Sequence, residues 1–161
     1  HQNTSVFSSS ADKSGGAIGT TTVVPYALNQ IHGWINPYSA KNSGLTTEDV
    51  QEMFKALWNS INNANTRSKS NQNSVLLLQI VYHTPNDKLY GVDKLVTITS
   101  EKEEEQIRGM ADFQFDFNGL KAVVDSPKVK EVRFYTEIES IKNALLALGN
   151  EKIKSIDIFT K

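Results

Sequence analysis

The chain has 161 residues, of which 39% are hydrophobic and 22% are charged, and this composition predicts one soluble domain with an ordinary core. The absence of cysteine excludes disulfides and thiolate metal sites, and no stretch approaches the roughly 20 apolar residues that a membrane-spanning helix needs. The formal net charge of −1 excludes a uniformly basic nucleic-acid binder, so affinity for RNA has to come from a local basic surface or from several copies acting together.

The first 22 residues are rich in Ser, Thr and Gly, and they start at His1 rather than at a methionine. We expect that an N-terminal portion of the protein precedes them. Residues 8–22 contain little that can be buried, and their glycines give the backbone freedom, so we predict a loop or a hairpin tip. Residues 1–22 are therefore interpreted as a flexible arm, distinct from a folded domain over 23–161.

The first elements of that domain are a strand, a helix and a second strand. Residues 23–35 are rich in β-branched and aromatic side chains and predict a strand that ends at an Asn36-Pro37 turn. A helix is predicted from about 47 to 62, because Thr46 is a good N-cap and an apolar stripe follows it. Residues 75–83 form a short apolar run, which indicates a buried strand. The residues of the helical stripe are Val50, Phe54, Leu57, Trp58 and Ile61, with Met53 on its flank.

Residues 84–128 are interpreted as an insertion that contains a strand near 95–99. An acidic run within it, at Glu101 and 103–105, is interpreted as solvated surface rather than as a catalytic or metal-binding group. Three phenylalanines alternate farther along. They indicate a strand side that packs into a core or against a neighbouring subunit, with a stacking platform for bases as the alternative. These residues are Phe113, Phe115 and Phe117.

The last third predicts a strand, a helix and a strand. Residues 129–138 alternate apolar and charged side chains, which indicates a half-buried strand with Glu131 on its polar side. Ser140 is the predicted N-cap of a second helix, and Gly149 suits its C-terminal cap. Residues 153–159 are predicted to close the chain as a strand.

This order of elements is the β-α-β-β-α-β arrangement of a ferredoxin-like fold in the α+β class. It predicts an antiparallel sheet with two helices on one face. The opposite face is then free, and RNA-recognition modules of this shape use that face.

Four short segments between Tyr26 and Tyr82 carry a family resemblance. Ala27 to Pro37 ends in an H-G-x-x-N-P turn, Ser43 to Val50 is similar to a T-G-L-T-x-E-D helix entry, and Ala56 to Asn59 precedes an N-T-R-S loop that begins at Asn65. Together they resemble the C-terminal part of the backbone subunit of type I CRISPR complexes (Cas protein family seven, of the RAMP superfamily), most of all subtype I-B. From about residue 84 the resemblance is limited to the order of elements.

The resemblance implies a non-catalytic subunit that binds guide RNA (crRNA) through its sugar-phosphate chain, without a cofactor. Copies of the subunit polymerise along the RNA with other Cascade subunits in the prokaryotic cytoplasm, and target DNA is engaged through the guide. The domain over 23–161 would be the RNA-binding palm, a modified RNA-recognition fold, and residues 1–22 part of a thumb hairpin with Lys13 near its middle. The family's preceding N-terminal strand and helix are not in this sequence.

The candidate RNA contacts centre on the loop after the first helix. Arg67 and Lys69, with Asn65 and Ser68 beside them, supply two cations and several hydrogen-bond donors that can hold phosphates without reading bases. The alternative is that the two cations only complement the negative end of the helix.

Two further RNA contacts are predicted at His32 and Lys13. His32 can stack on RNA or hydrogen-bond to it, and the alternative is that its imidazole satisfies a nearby backbone group. With three histidines and no cysteine, we expect no metal site. Two other functions stay open beside the RNA-binding subunit: a metal-dependent ribonuclease that uses Asp12, and a ferredoxin-like protein-interaction domain. We expect no enzymatic activity.

Overall fold

The computed structural model describes residues 2–5, 17–20, 26–65 and 71–160. Its strands are β1 (Gln2–Ser5), β2 (Ala17–Thr20), β3 (Leu77–Tyr82), β4 (Thr97–Thr99), β5 (Gln114–Asp116), β6 (Val129–Tyr135) and β7 (Ile153–Ser155). Its α-helices are α1 (Pro37–Ser43), α2 (Thr47–Asn63), α3 (Gly119–Val124) and α4 (Glu139–Leu146), and single 3₁₀ turns lie at Val92–Lys94, Glu104–Gln106 and Met110–Asp112.

The strands form three small sheets, of which the largest has the order β3-β6-β7. In it, β6 is antiparallel to β3 and parallel to β7, and α4 forms the crossover between the two parallel strands. The strands β1 and β2 pair with each other, as do β4 and β5, and both pairs are antiparallel. The predicted α+β class is confirmed. The prediction of an all-antiparallel sheet is wrong for β6 and β7, which are parallel. The crossover helix α4 brings the chain back, so that β7 runs in the same direction as β6.

The core lies on one face of the central sheet. Val132 and Phe134 of β6 are fully buried there, and Leu120 of α3 and Leu145 of α4 pack against them with no exposed surface. Each such side chain contributes roughly 1.5–3 kcal/mol through the apolar surface that it removes from water. The short strands and helices of the last third are therefore fixed by their packing rather than by their length.

The long helix α2 confirms the prediction for 47–62 to within one residue. The Thr46 hydroxyl accepts a hydrogen bond from the backbone N–H of Asp49 at 3.1 Å, and the Asp49 carboxylate accepts one from the backbone N–H of Thr46 at 2.9 Å. This reciprocal capping box satisfies two donors that a helix N-terminus otherwise leaves open. The buried stripe is narrower than predicted, because Trp58 is 4% exposed but Leu57 is 45% exposed.

The helix α2 contacts the face of the sheet opposite the core. Tyr135 follows the buried Phe134 along β6 and so points to that opposite face. Its ring meets Trp58 edge to face at 4.8 Å between centroids, and Gln51 donates a hydrogen bond to the carbonyl of Thr160 at 2.8 Å. The expectation of one entirely free sheet face is therefore wrong around Tyr135.

The predicted strand over 23–35 is wrong for its described part, because residues 26–36 form no strand. Their apolar side chains at 28, 31, 34 and 35 do not alternate, so they cannot line one face of a pleated strand. Asn36 and Pro37 do not form a simple turn either. The Asn36 side chain accepts a hydrogen bond from the backbone N–H of Tyr38 at 2.9 Å and caps α1, with Pro37 at its first position.

Other boundaries shift by a few residues. The strand predicted over 75–83 is shorter and half-buried along its whole length, because β3 lies at one end of the sheet order. Ser140 does not cap α4, which begins at Glu139 with Ile138 at the cap position. Gly149 does not cap α4 either: the C-cap is Ala147, and Gly149 follows two residues later with a φ of +68°. The final predicted strand is reduced to β7. No helix in the described ranges is both long and apolar enough to cross a membrane.

Candidate nucleic-acid interface

The predicted phosphate-binding loop begins where α2 ends. Asn65 is exposed two residues beyond the helix, and its contact with a phosphate stays a prediction. Arg67, Ser68 and Lys69 lie outside the described residues. The structure therefore places one of the four loop candidates and leaves the other three as predictions.

Both ends of this loop are held together by described residues. The Asn62 side chain accepts a hydrogen bond from the backbone N–H of Ser74 at 2.6 Å, and the Ser74 hydroxyl donates one to the carbonyl of Trp58 at 3.2 Å. These bonds tie the segment that precedes β3 to the last turns of α2. Because Trp58 packs α2 against the sheet, the residues at both ends of the loop, Asn62 and Ser74, are held in place. We call this pair of residues the supported base of the loop.

His32 is exposed in the extended segment 26–36. Within the described ranges, no hydrogen bond satisfies its imidazole, so the alternative of a bond to a nearby backbone group is not observed there. The predicted contact of His32 with RNA stays a prediction. Lys13 and Asp12 lie outside the described residues. The prediction that Lys13 contacts RNA and the alternative that Asp12 acts in a ribonuclease both stay untested.

A charged cluster on the central sheet was not predicted. Glu131, expected on the polar side of its strand, is 5% exposed. Its carboxylate accepts hydrogen bonds from Arg133 Nε at 2.7 Å, on the same strand, and from Lys154 Nζ at 2.8 Å, on the neighbouring strand β7. The bond from Lys154 is the main cause that lowers the pKa of Glu131, the bonds and charge of Arg133 add to it, and burial opposes them.

This cluster carries one net positive charge on the sheet face opposite the core. The side chains of Arg133 and Lys154 are 38% and 57% exposed, so both cations still reach water. The signal in the sequence was the spacing of Glu131 and Arg133, since residues two apart on a strand share a face. Lys154 could not be assigned to them, because its proximity depends on the parallel pairing of β7.

The acidic run of the insertion is exposed, as expected for a solvated surface. In the same insertion, the carboxylate of Asp112 binds the Lys102 ammonium and accepts hydrogen bonds from the backbone N–H groups of Arg108 and Gly109. The bond from Lys102, followed by that from Arg108, holds the pKa of Asp112 below its usual value. Asp112 therefore organises a turn. Across the described ranges, no three His, Asp or Glu side chains come together as a metal-ion site.

The three alternating phenylalanines confirm the interpretation as a packed strand side. Phe113 and Phe117 are 7% and 4% exposed, and Phe115 between them is half-buried. The Phe115 ring meets that of Phe113 edge to face at 5.4 Å and stacks on that of Phe117 at 5.9 Å. Since the rings use their faces and edges on one another, they leave no open platform for bases.

A family model described as CRISPR-associated protein Cas7 matches residues 1–118. No curated protein and no solved structure matches the chain significantly. The matched part contains the extended segment 26–36, the helix α2, the predicted phosphate-binding loop and the strand β3. The strands β6 and β7, with the charged cluster that they carry, lie beyond it.

Proposed function

The chain belongs to the CRISPR-associated Cas7 family, and we propose that it is a non-catalytic subunit that binds guide RNA in a type I surveillance complex, of the Cascade kind and subtype I-B. Copies of the chain associate along the RNA in the prokaryotic cytoplasm, beside other Cascade subunits, and pair with target DNA through the guide. The palm is a modified ferredoxin-like domain, and the arm before residue 23 belongs to a thumb hairpin.

The observation that carries this proposal is the family match over 1–118, which includes the loop with Arg67 and Lys69. The supported base of that loop at Asn62 and Ser74 favours a fixed point of contact. Because the chain as a whole carries a net charge of −1, its RNA affinity has to come from a few local cations on the sugar-phosphate chain. Such contacts bind RNA irrespective of base sequence.

The test is binding of the full chain to two labelled guide RNAs of unrelated sequence, in the presence of Mg²⁺. We expect both RNAs to bind with similar affinity and to stay intact, and we expect the affinity to fall steeply between about 50 and 200 mM salt. Cleaved RNA would replace this proposal with the ribonuclease alternative. Absence of binding at low salt would refute the proposal and favour the protein-interaction alternative.

The predicted loop is tested by the double substitution Arg67→Ala and Lys69→Ala. Each phosphate contact to single-stranded RNA contributes about 0.7 to the slope of log K against log salt, so the loss of two contacts should reduce the slope by about 1.4. The matched control is Lys121→Ala with Lys142→Ala, which removes two charges from α3 and α4, the helices of the core face. Equal slopes in the two double variants would remove the loop from the RNA interface.

A further inference from the structure

Two exposed aromatic rings share one lysine ammonium on the surface of the matched part. The Nζ atom of Lys88 lies 4.7 Å from the centroid of the Trp34 ring and 5.6 Å from that of the Tyr90 ring. Both distances are within the reach of a cation–π interaction. Trp34 is nevertheless 56% exposed and Tyr90 is 90% exposed, so most of the aromatic surface faces water.

The two rings come from separate parts of the chain, and the backbone around them holds them near each other. Trp34 belongs to the extended segment 26–36, and Tyr90 belongs to the loop that follows β3. In α1, directly after that segment, the Tyr38 hydroxyl donates a hydrogen bond to the Asn86 side chain at 2.6 Å and so joins α1 to the loop that follows β3. Gly91, directly after Tyr90, turns the loop with a φ of +72° that other residues rarely adopt. The aromatic pair is therefore a product of the fold.

A contribution to the stability of the fold explains only part of this arrangement of Lys88 and the two rings. An exposed cation–π contact stabilises a protein by about 0.5–1 kcal/mol, and burial of the rings would stabilise it more. In the part of the chain that the structure describes, Lys88 forms no ion pair with a carboxylate. A second cation, the ammonium of Lys128, lies 3.5 Å from the carbonyl of Lys88. The surface thus offers flat apolar rings beside positive charge, which is complementary to a planar group that carries a phosphate.

We propose that Trp34, Lys88 and Tyr90 form a binding site for one nucleotide of a single-stranded RNA, an inference that rests on the proposed function. The base stacks on an exposed ring, and the Lys88 ammonium contacts the adjoining phosphate. Stacking accepts any base, because every base has a π-face. This site therefore binds the guide in the same sequence-independent way as the phosphate contacts of the loop after α2.

The chain provides its own reporter for this site. It has two tryptophans, of which Trp34 is 56% exposed and Trp58 is 4% exposed. A base that stacks on Trp34 should quench its fluorescence, whereas Trp58 should not respond. In a titration with unlabelled guide RNA, we expect the quenching to be saturable and to give the same dissociation constant as a labelled RNA. In Trp34→Phe, which keeps a ring, the quenching should disappear while most of the affinity remains.

Removal of the ring measures its share of the affinity. Base stacking on an aromatic side chain corresponds to about a 5- to 150-fold change in affinity, so Trp34→Leu should weaken RNA binding by a factor in that range. The matched control is Ile31→Ala, on the same extended segment and 77% exposed but without a ring, which should bind as the wild type does. Tyr90→Leu is the second variant, because a side chain that is 90% exposed can be replaced without loss of the fold.

The outcomes separate this inference from the proposed function. If RNA binds to the wild type without quenching of Trp34, and both leucine variants bind within twofold of Ile31→Ala, the nucleotide site is refuted and the RNA-binding function stands. If the wild type itself does not bind RNA, the nucleotide site and the proposed function fail together. If Trp34 is quenched by raising the protein concentration without RNA, the surface is a contact between protein chains and the inference is overturned.

Discussion

Replacement of Glu131 by glutamine should lower the free energy of unfolding by about 1–2 kcal/mol at pH 7. Loss of one partner from a fully buried ion pair costs about 3–5 kcal/mol, and an exposed pair contributes about 0.2–1 kcal/mol. Glu131 is 5% exposed, but the side chains of Arg133 and Lys154 are 38% and 57% exposed. Because water screens the two cations but hardly reaches the carboxylate, the expected cost lies between the two ranges.

The same cluster gives the difference a definite dependence on pH. Lys154, Arg133 and their charges hold the pKa of Glu131 below its ordinary value of 4.5, against the effect of burial. A carboxyl group whose pKa is lowered by folding stabilises the protein above its unfolded pKa, and this contribution is lost as the pH falls through the folded-state value. Glutamine does not titrate, so the two proteins should differ fully at pH 7 and converge as the pH falls below 4.5 and through the lowered pKa of Glu131.

The measurement is urea unfolding of wild type and Glu131→Gln at several pH values, with the free energy extrapolated to zero denaturant. The control is Glu103→Gln, which removes an exposed carboxylate that makes no cap hydrogen bond and should change stability by less than about 0.5 kcal/mol. A difference between wild type and Glu131→Gln that stays constant from neutral to acid pH would contradict the ion-pair explanation. So would a difference no larger than that of the control.

Four other substitutions test the helix cap and the packing of the core. Thr46→Ala removes the cap of α2 and should cost about 1 kcal/mol in the same unfolding assay. Gly119→Ala should cost about 1–3 kcal/mol, because a Cβ atom would lie 2.7 Å from the carbonyl oxygen of Leu95; an unchanged unfolding midpoint would contradict this close approach. Leu145→Ala, at a fully buried site, should cost about 2–5 kcal/mol. Leu57→Ala, at a site 45% exposed, should cost less than 1 kcal/mol, and similar losses at both sites would refute the assigned core.

The elements that were predicted well have local causes. The helix α2 follows from one cap, Thr46, and from an apolar stripe that recurs at helical spacing. The strand β6 follows from alternation around Val132 and Phe134, both fully buried. In each case, the residues that determine the element lie within a few positions of one another, so a single sequence contains the whole signal.

The prediction of a strand over 23–35 is wrong because it rested on the content of β-branched and aromatic residues. The apolar residues of this segment do not alternate with polar ones, as they do in a half-buried strand. Leu28, Ile31 and Trp34 are apolar, but they recur every three residues, and all three stay exposed in the structure. Apolar content reports a tendency to leave water and does not by itself identify the surface that covers a side chain. In this segment, the one described contact of the Trp34 ring is with Lys88, 54 positions farther along the chain.

The candidate RNA contacts also divide into those with a local signal in the sequence and those that depend on contacts between distant residues. The loop that begins at Asn65 could be predicted because its cations are neighbours in sequence. The aromatic pair could not, because Trp34 and Tyr90 are joined only where the loop after β3 meets the segment before α1. If both surfaces bind RNA, the strand β3 connects them. The loop after α2 ends at Ser74, just before β3, and the loop that carries Tyr90 follows β3. One guide would then be held at the two ends of β3 by unrelated chemistry, through phosphates at one end and a stacked base at the other. Loss of both contacts should weaken binding by the product of the two separate effects, because substitutions at distant and independent sites are additive in free energy.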